Sequence, residues 1–479
     1  MKTRKESDFL GEVEVPADAY YGIFTMRASK TFRLSSQKVN MKLIRAVALI
    51  KKAAASANSE LKTLDPKLGT AIMSAADEVI AGKFDDQFII DAFQAGAGTP
   101  LHMNTNEVIA NRANEMLGGK KGEYKLVHPN NHVNMSQSSN DVTPTAIRLA
   151  SIPEAKKLLE ESVALEQSFG KLETRYRKLM KCGRTHLMDA VPLTYGQVFS
   201  AWLRALEKDR QGITVAIDPL LELGIGGTAL GTGINTHPKF KEMIVTKLRD
   251  MSKLDVRVAK DSVETTQNMN DFLRLSGALR CYATTLNRIC NDLRLLSSGP
   301  KTGLEEMILP AVEPGSSIMP GKINPSVPES INMACWQVCG NDRAIELAAQ
   351  SGQFELNWGT PLIAHNLLGS LELLKNGIMV LRTECIDGLK VDEKRVKELL
   401  DDSFAYATAF NPYLGYSKVS KLVTEAYGKG IPLRQLILEK GMMEESDIER
   451  IIAQSAGPSE VDEKLKERMK KEGSGKINK

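Results

Sequence analysis

Residues 153–181 read PEAKKLLEESVALEQSFGKLETRYRKLMK. Leu159, Val163, Leu165, Phe169, Leu172, Tyr176 and Leu179 return at spacings near three and four, with charged residues between them. That period sets one apolar stripe on a long amphipathic helix. Residues 270–299 repeat the style through Leu275, Leu279, Tyr282, Leu286, Ile289, Leu293 and Leu296. Residues 330–350 and 360–389 supply two more candidates, and few alternating β-branched runs compete with them. Helices this long need neighbours to bury their stripes, so residues 141–395 read as a bundle of about five helices. Several stripes are wider than one neighbour requires, which implies that the bundle continues into other subunits.

Around this centre the pattern changes. Residues 1–140 form a mixed, mostly helical segment, with helical runs such as LIRAVALIKKAAASANSEL (43–61) between Gly- and Asn-rich joins. Residues 396–479 read as a small helical domain, interrupted at Pro412 and Gly415. It ends in a charged tail after Pro458 that is expected to be frayed. The expected class is all-α dominated, in three domains. At 479 residues the chain is too long for one ordinary core.

Composition excludes several partners. A net charge of +4 sets up no strong field for nucleic acid or a membrane surface. No apolar run is long enough to span a bilayer, and the first residues, MKTRKESDFLGEVEVP, lack an apolar signal core, so the cytoplasm is the expected location. Six scattered cysteines make no disulfide framework. Cys335 and Cys339 lie one helical turn apart without further ligands nearby, and read as small apolar residues rather than a metal pair.

The chemistry concentrates in PGSSIMPGKINPSVPE, residues 314–329. Pro314, Gly315, Pro320, Gly321, Pro325 and Pro328 forbid regular helix there, and loops of this length are commonly functional. It carries Ser316, Ser317, Lys322, Asn324 and Glu329. Ile318, Met319 and Ile323 suggest that it packs onto something; a solvated surface loop is the alternative from composition alone.

GSSIMPGKINP is similar to the signature loop of the fumarase/aspartase superfamily. Three further segments resemble the fumarate/aspartate branch: GAGTPLHMNTNEVIANRA (96–113), VHPNNHVNMSQSSNDVTPTA (127–146) and KCGRTHLMDAVPLTYGQ (181–197). The likeness runs from about residue 5 to 455. It implies a central five-helix bundle, a homotetramer with a twenty-helix core, and active sites shared among three subunits. It implies a small dicarboxylate substrate, fumarate or L-malate, and neither a metal nor an organic cofactor.

The implied reaction removes a proton from a carbon beside a carboxylate, through an aci-carboxylate that needs preorganised positive charge and hydrogen-bond donors. The resemblance assigns Ser316 as the base, Lys322 as the cation, and His186 with Glu329 to the water or leaving-group proton. It assigns substrate binding to Thr99, Ser138, Ser139, Asn140, Thr185, Ser317, Lys322 and Asn324. His128, Asn130 and Asn131 match a second dicarboxylate site, with Asn131 where fumarases usually have aspartate. His102 stands where asparagine is common, and Met135 where lysine is frequent. His132, His237 and His365 receive no catalytic role. GIGGTALGTG (224–233) lacks the preceding strand and acidic partner of a dinucleotide fold, so phosphate binding is not expected; the resemblance implies a bend beside the active site there.

Water and ammonia are the competing nucleophiles. SQSSND with Ser139, VHPN with His128, GTGINTHP and LIAHNLL resemble class II fumarate hydratases. EVPADAYYG, GAGT with Ala97, and NPSVPE resemble aspartate ammonia-lyases. The resemblance is read here as favouring the hydratase, with the ammonia-lyase as the alternative. A non-catalytic relative, such as a lens crystallin, would be expected to show damage in the loop, whereas Ser316, Lys322, Asn324, Thr185 and His186 are intact.

Overall fold

The computed structural model describes residues 2–458 and 460–475. In chain order it opens with an antiparallel hairpin, β1 (Thr3–Asp8) and β2 (Gly11–Pro16), then α1 (Ile23–Thr31), α2 (Met41–Glu60), α3 (Pro66–Ile80) and α4 (Thr99–Met116). Next come α5 (Ser139–Arg175), a second hairpin of β3 (Met180–Thr185) and β4 (Met188–Thr194), α6 (Tyr195–Ile217), α7 (Phe240–Ser252), α8 (Ser262–Gln267) and α9 (Asn270–Leu296). α10 (Ser326–Gln350), α11 (Thr360–Leu381) and α12 (Glu393–Asp402) follow. The chain ends with α13 (Asn411–Leu414), α14 (Tyr416–Lys429), α15 (Leu433–Glu439), α16 (Glu445–Gln454) and α17 (Glu463–Gly475).

The fold is helix-dominated, as expected. The five long helices are α5, α6, α9, α10 and α11, all between residues 139 and 381. No helix among the described residues is long and apolar enough to cross a membrane.

The chain divides into two compact units. The first holds the residues up to Glu161, Asp209–Thr284 and Met333–Gly377. Its helix starts follow local rules: the Asn40 side chain accepts from Lys42 N at α2, and Asp65 caps α3 with Pro66 beside it. Buried Glu107 of α4 takes the amides of Gly22, Phe24 and Thr25 and the Thr25 hydroxyl, which anchors the start of α1. The long helices are cross-linked here by Arg148–Asp271 (2.9 Å, α5 to α9), Ser276–Asp342 (2.6 Å, α9 to α10) and Asn341–Ser370 (3.0 Å, α10 to α11).

The second unit holds Ser162–Lys208, Thr285–Asn332 and the chain from Ile378 onward. Phe169 of α5 packs against Phe199 and Trp202 of α6, and Asn332 of α10 bonds Asn287 and Asn291 of α9. The C-terminal helices close over Tyr406, Phe410, Leu433, Ile437 and Ile448.

Two sequence expectations need correction. On α5 the buried stripe passes through Leu158, Ser162, Leu165, Phe169, Leu172 and Tyr176, whereas Leu159 is half-buried and Val163 is exposed. The true stripe alternates strictly between steps of four and three; Leu159 and Val163 stand one residue, about 100°, to its side. The stripe on α9 holds from Leu275 to Leu293. The charged tail is not frayed over its described part. Asp462 accepts from Leu465 N at the start of α17, and Leu465 and Met469, one turn apart, are buried in the C-terminal core. Ser459 and residues 476–479 lie outside the described residues.

Candidate active site

In the first unit the SSND segment builds the start of α5. The Ser138 hydroxyl accepts from Asn140 N (3.2 Å), and Asp141 reaches back to accept from Ser138 N (2.9 Å), a reciprocal capping box. The other Asp141 oxygen takes the amides of Gly226 (3.0 Å) and Thr228 (2.9 Å), and the Asn140 side chain donates to Ala229 O (2.9 Å). The glycine-rich segment is therefore a bend wrapped around a helix start. Two of its amides serve a buried carboxylate and are not free to cradle phosphate. A side chain on Gly231 would meet Ser262 and Val263 backbone at 2.3–2.5 Å, so only glycine fits there. Burial pushes Asp141 up to about 7, against the pull of its three backbone donors.

Gly96, Ala97 and Gly98 are all left-handed, with φ of 71°, 51° and 86°, just before α4. A Cβ on Gly98 would lie 2.6 Å from Thr143 Oγ1, so the starts of α4 and α5 approach closely through it. Thr99 follows with its hydroxyl bonded to Gly96 O (2.6 Å). Ser139 Oγ lies 2.8 Å from Nδ1 of buried His102. Thr99, Ser138, Ser139 and Asn140 thus all stand at the starts of α4 and α5.

His128 has a local structural duty. Its Nδ1 accepts the amides of Asn130 (3.1 Å) and Asn131 (3.2 Å), and its own amide donates to His132 Nδ1 (2.9 Å). Burial lowers the pKa of both imidazoles, and His132 lowers His128 further.

In the second unit Thr185 pairs with Met188 across the β3–β4 hairpin, so His186 and Leu187 form a two-residue turn. Both are left-handed, with φ of 58° and 63°, where such turns usually carry Asn-Gly. Strain of this kind in bulky residues concentrates at functional sites. His186 is exposed. Glu329, in the first turn of α10, lies 3.8 Å from Arg294, and among the described residues no bond joins it to His186.

Ser316 Oγ accepts two backbone amides, Ile318 N (3.2 Å) and Met319 N (3.0 Å). Gly315 N donates to Lys322 O (2.8 Å), and the Asn324 side chain donates to Gly315 O (2.7 Å). These two bonds tie the loop at its neck. Ser317 and Lys322 are exposed. Ile318 is 84% exposed, and Met319 and Ile323 are exposed as well, so within this chain they do not pack as the sequence suggested.

The chain matches the family model described as Lyase over residues 11–340 and the one described as Fumarase C C-terminus over residues 407–455. It is 43% identical over 449 residues to an aspartate ammonia-lyase of Bacillus sp, covering 94% of this chain and 96% of that one. It is 44% identical over 439 residues to a class II fumarate hydratase of Chromobacterium violaceum, covering 91% and 95%.

This chain belongs to the fumarase/aspartase superfamily of lyases.

A solved fumarate lyase:delta crystallin from Brucella melitensis superposes on this lyase with a TM-score of 0.91 at 42% identity, covering 95% of this chain and all of that one.

Sequence reasoning missed several groups that hold the lyase motifs in shape. Glu306 is buried among Lys181 (3.1 Å), Arg184 and the Tyr195 hydroxyl, which ties the GRTH strand to the segment leading into the loop. Burial alone would raise the Glu306 carboxyl; Lys181, Tyr195 and Arg184 outweigh it and hold it below its ordinary value. Nothing in the local pattern of residues 304–309 marks that acid as buried. Lys51 was likewise read only as part of a helical run, yet it lies fully buried against His102.

Proposed function

We propose that this lyase is a class II fumarate hydratase, adding water reversibly to fumarate to give L-malate. The observation that carries the chemistry is the pair of amide donors on Ser316 Oγ. A serine is a poor base unless its alkoxide is stabilised, and two fixed N–H groups do that without reorganisation. Bonds of this kind also recur in ordinary serine turns. What separates this case is the sequence around it, with Lys322 six residues on and the loop tied at its neck.

In this reading Ser316 takes the C3 proton, Lys322 and the loop amides stabilise the charge, and the loop closes over substrate and the reacting water to exclude bulk solvent. Thr99, Ser138, Ser139, Asn140, Thr185, Ser317 and Asn324 bind the two carboxylates. His186, paired with Glu329 of another copy, handles the water proton. Assembly as a homotetramer is part of the proposal. It is supported by Met333 and Trp336, 58% and 59% exposed on one face of α10, and by the uncovered apolar residues of the loop. A cytoplasmic location goes with this reading. A second dicarboxylate site at His128, Asn130 and Asn131 would have to bind without His128 Nδ1, which is occupied by its own turn.

Water is preferred over ammonia on Ser139 and the segments that resemble hydratases. Aspartate ammonia-lyase is the second reading, favoured by Ala97 and by the relatives of that name. Purified enzyme with fumarate decides between them through ultraviolet absorbance. Loss of signal without ammonia supports the hydratase. Loss that depends on ammonia assigns the second reading, and no loss under either condition sinks both.

A further inference from the structure

Ser139 accepts or donates at one nitrogen of His102, and the other nitrogen decides which. His102 Nε2 faces Lys51 Nζ from α2, and both side chains are wholly buried. Lys51 Nζ has two more partners, Asn134 Oδ1 (3.0 Å) and Gln137 Oε1 (2.9 Å). Those amides are oriented by their nitrogens. Asn134 Nδ2 donates to Gln137 O (3.3 Å), while Gln137 Nε2 donates to Val133 O (3.2 Å) and Met135 O (2.9 Å). Their oxygens therefore face the lysine and take two of its hydrogens. With Lys51 as an ammonium, the form that the two amide oxygens and Asp141 favour, the third points at His102 Nε2, which then accepts it. An imidazole accepting at Nε2 carries its proton on Nδ1. That proton goes to Ser139 Oγ, and the serine O–H is left to donate elsewhere.

This direction needs the lysine charge, because a neutral amine would accept from Nε2–H and the chain would run the other way. Burial disfavours the charged form of both Lys51 and His102; the lysine charge lowers His102 further, and the Asn134 side chain acts to raise it. Imidazole is the weaker base by about four pKa units, so it is the ring that stays neutral. Asp141 acts in the opposite sense and favours the lysine charge.

We propose that Lys51 is a positioning residue that sets the direction of the chain Lys51–His102–Ser139, so that Ser139 presents a hydrogen to a substrate carboxylate. This deepens the reading of Ser139 as a dicarboxylate ligand and rests on it. In the reverse direction Ser139 would donate to His102 and offer the carboxylate only lone pairs. The arrangement also gives the histidine at 102 a physical reason.

Two measurements test the proposal. Solid-state nitrogen NMR of the wild-type enzyme with isotope-labelled histidine reads the tautomer of His102 without turnover; its signals are those lost in His102→Asn. Protonation at Nδ1 is expected, and protonation at Nε2 overturns the proposal. Lys51→Met removes the donor behind the ring and lets it reverse. KM for fumarate should then rise about tenfold, the size of one hydrogen bond to a charged group, with a smaller change in kcat. A folded Lys51→Met enzyme with unchanged KM, or one whose His102 keeps its proton on Nδ1, refutes the role. If that variant does not fold, the wild-type tautomer still decides. Wild-type enzyme inert toward fumarate would remove the functional reading, while the NMR result would still confirm or refute the direction of the chain.

Discussion

Gly315→Ala should disable the signature loop while leaving the rest of the molecule folded. The added methyl would lie 2.7 Å from both Asn324 N and Lys322 O, and 3.0 Å from Asn324 Cγ. The two nearest are backbone atoms at the neck of the loop and cannot swing aside. The bonds that close the neck, Gly315 N to Lys322 O (2.8 Å) and Asn324 Nδ2 to Gly315 O (2.7 Å), must stretch or break. At a net worth of about 1 kcal/mol each, their loss disfavours the closed loop by about 2 kcal/mol. That is about a thirtyfold fall in the competent form, because each 1.36 kcal/mol is tenfold. Ser316 adjoins this neck, so kcat/KM should fall by a similar factor. The melting temperature should change by no more than about 2 °C, since the loop buries little within the chain. Initial rates from fumarate absorbance, with thermal melts on the same samples, read both. Gly428→Ala is the control: its Cβ would meet nothing within 4 Å, and it should leave the rate unchanged. Wild-type activity in Gly315→Ala, or a collapse of its melting temperature, would show that the neck does not do what is argued.

Other consequences are open to direct measurement. Ser316→Ala should cut turnover by about a thousandfold or more while sizing chromatography shows unchanged assembly; near-normal turnover removes Ser316 as the base. Glu306→Gln should cost about 3 kcal/mol in urea unfolding, because Lys181 is left as an unpaired buried charge beside half-buried Arg184. The folded Glu306 carboxyl is held below its ordinary 4.5, so its contribution is present above that value and is lost as pH falls through the folded value; the variant should lack that acid limb. Glu107 behaves in the opposite sense. Burial raises it from 4.5 to about 7, so the folded state holds the extra proton between those values. Stability should therefore decline as pH rises from 4.5 to about 7 and level off above, with Asp141 adding to the same trend. Thermal melts across that range check it, and a flat profile contradicts it.

Helix periodicity was legible because burial repeats with the turn of the helix: α9 follows its stripe from Leu275 to Leu293. On α5 the same reasoning slipped by one residue, since Leu158 and Leu159 are both leucine and only packing chooses between them. The α17 tail was misread because Leu465 and Met469 look sparse among charges until a core is present to receive them. In the site, Ser316 and the SSND residues were found through the resemblance of their local motifs. Glu306 and Lys51 could not, because their partners are far away in sequence.

Sequence alone determined what depends on neighbours a few residues apart: four of the five long helices, the broken loop at 314–329, and the motifs that mark the superfamily. Tertiary structure decided which distant groups meet. It buried Lys51 against His102 and aimed that histidine at Ser139, set Glu306 among two cations and a phenol, and bound the glycine bend to Asp141. Polar groups taken out of water must find partners, and the chain order of those partners leaves no local trace.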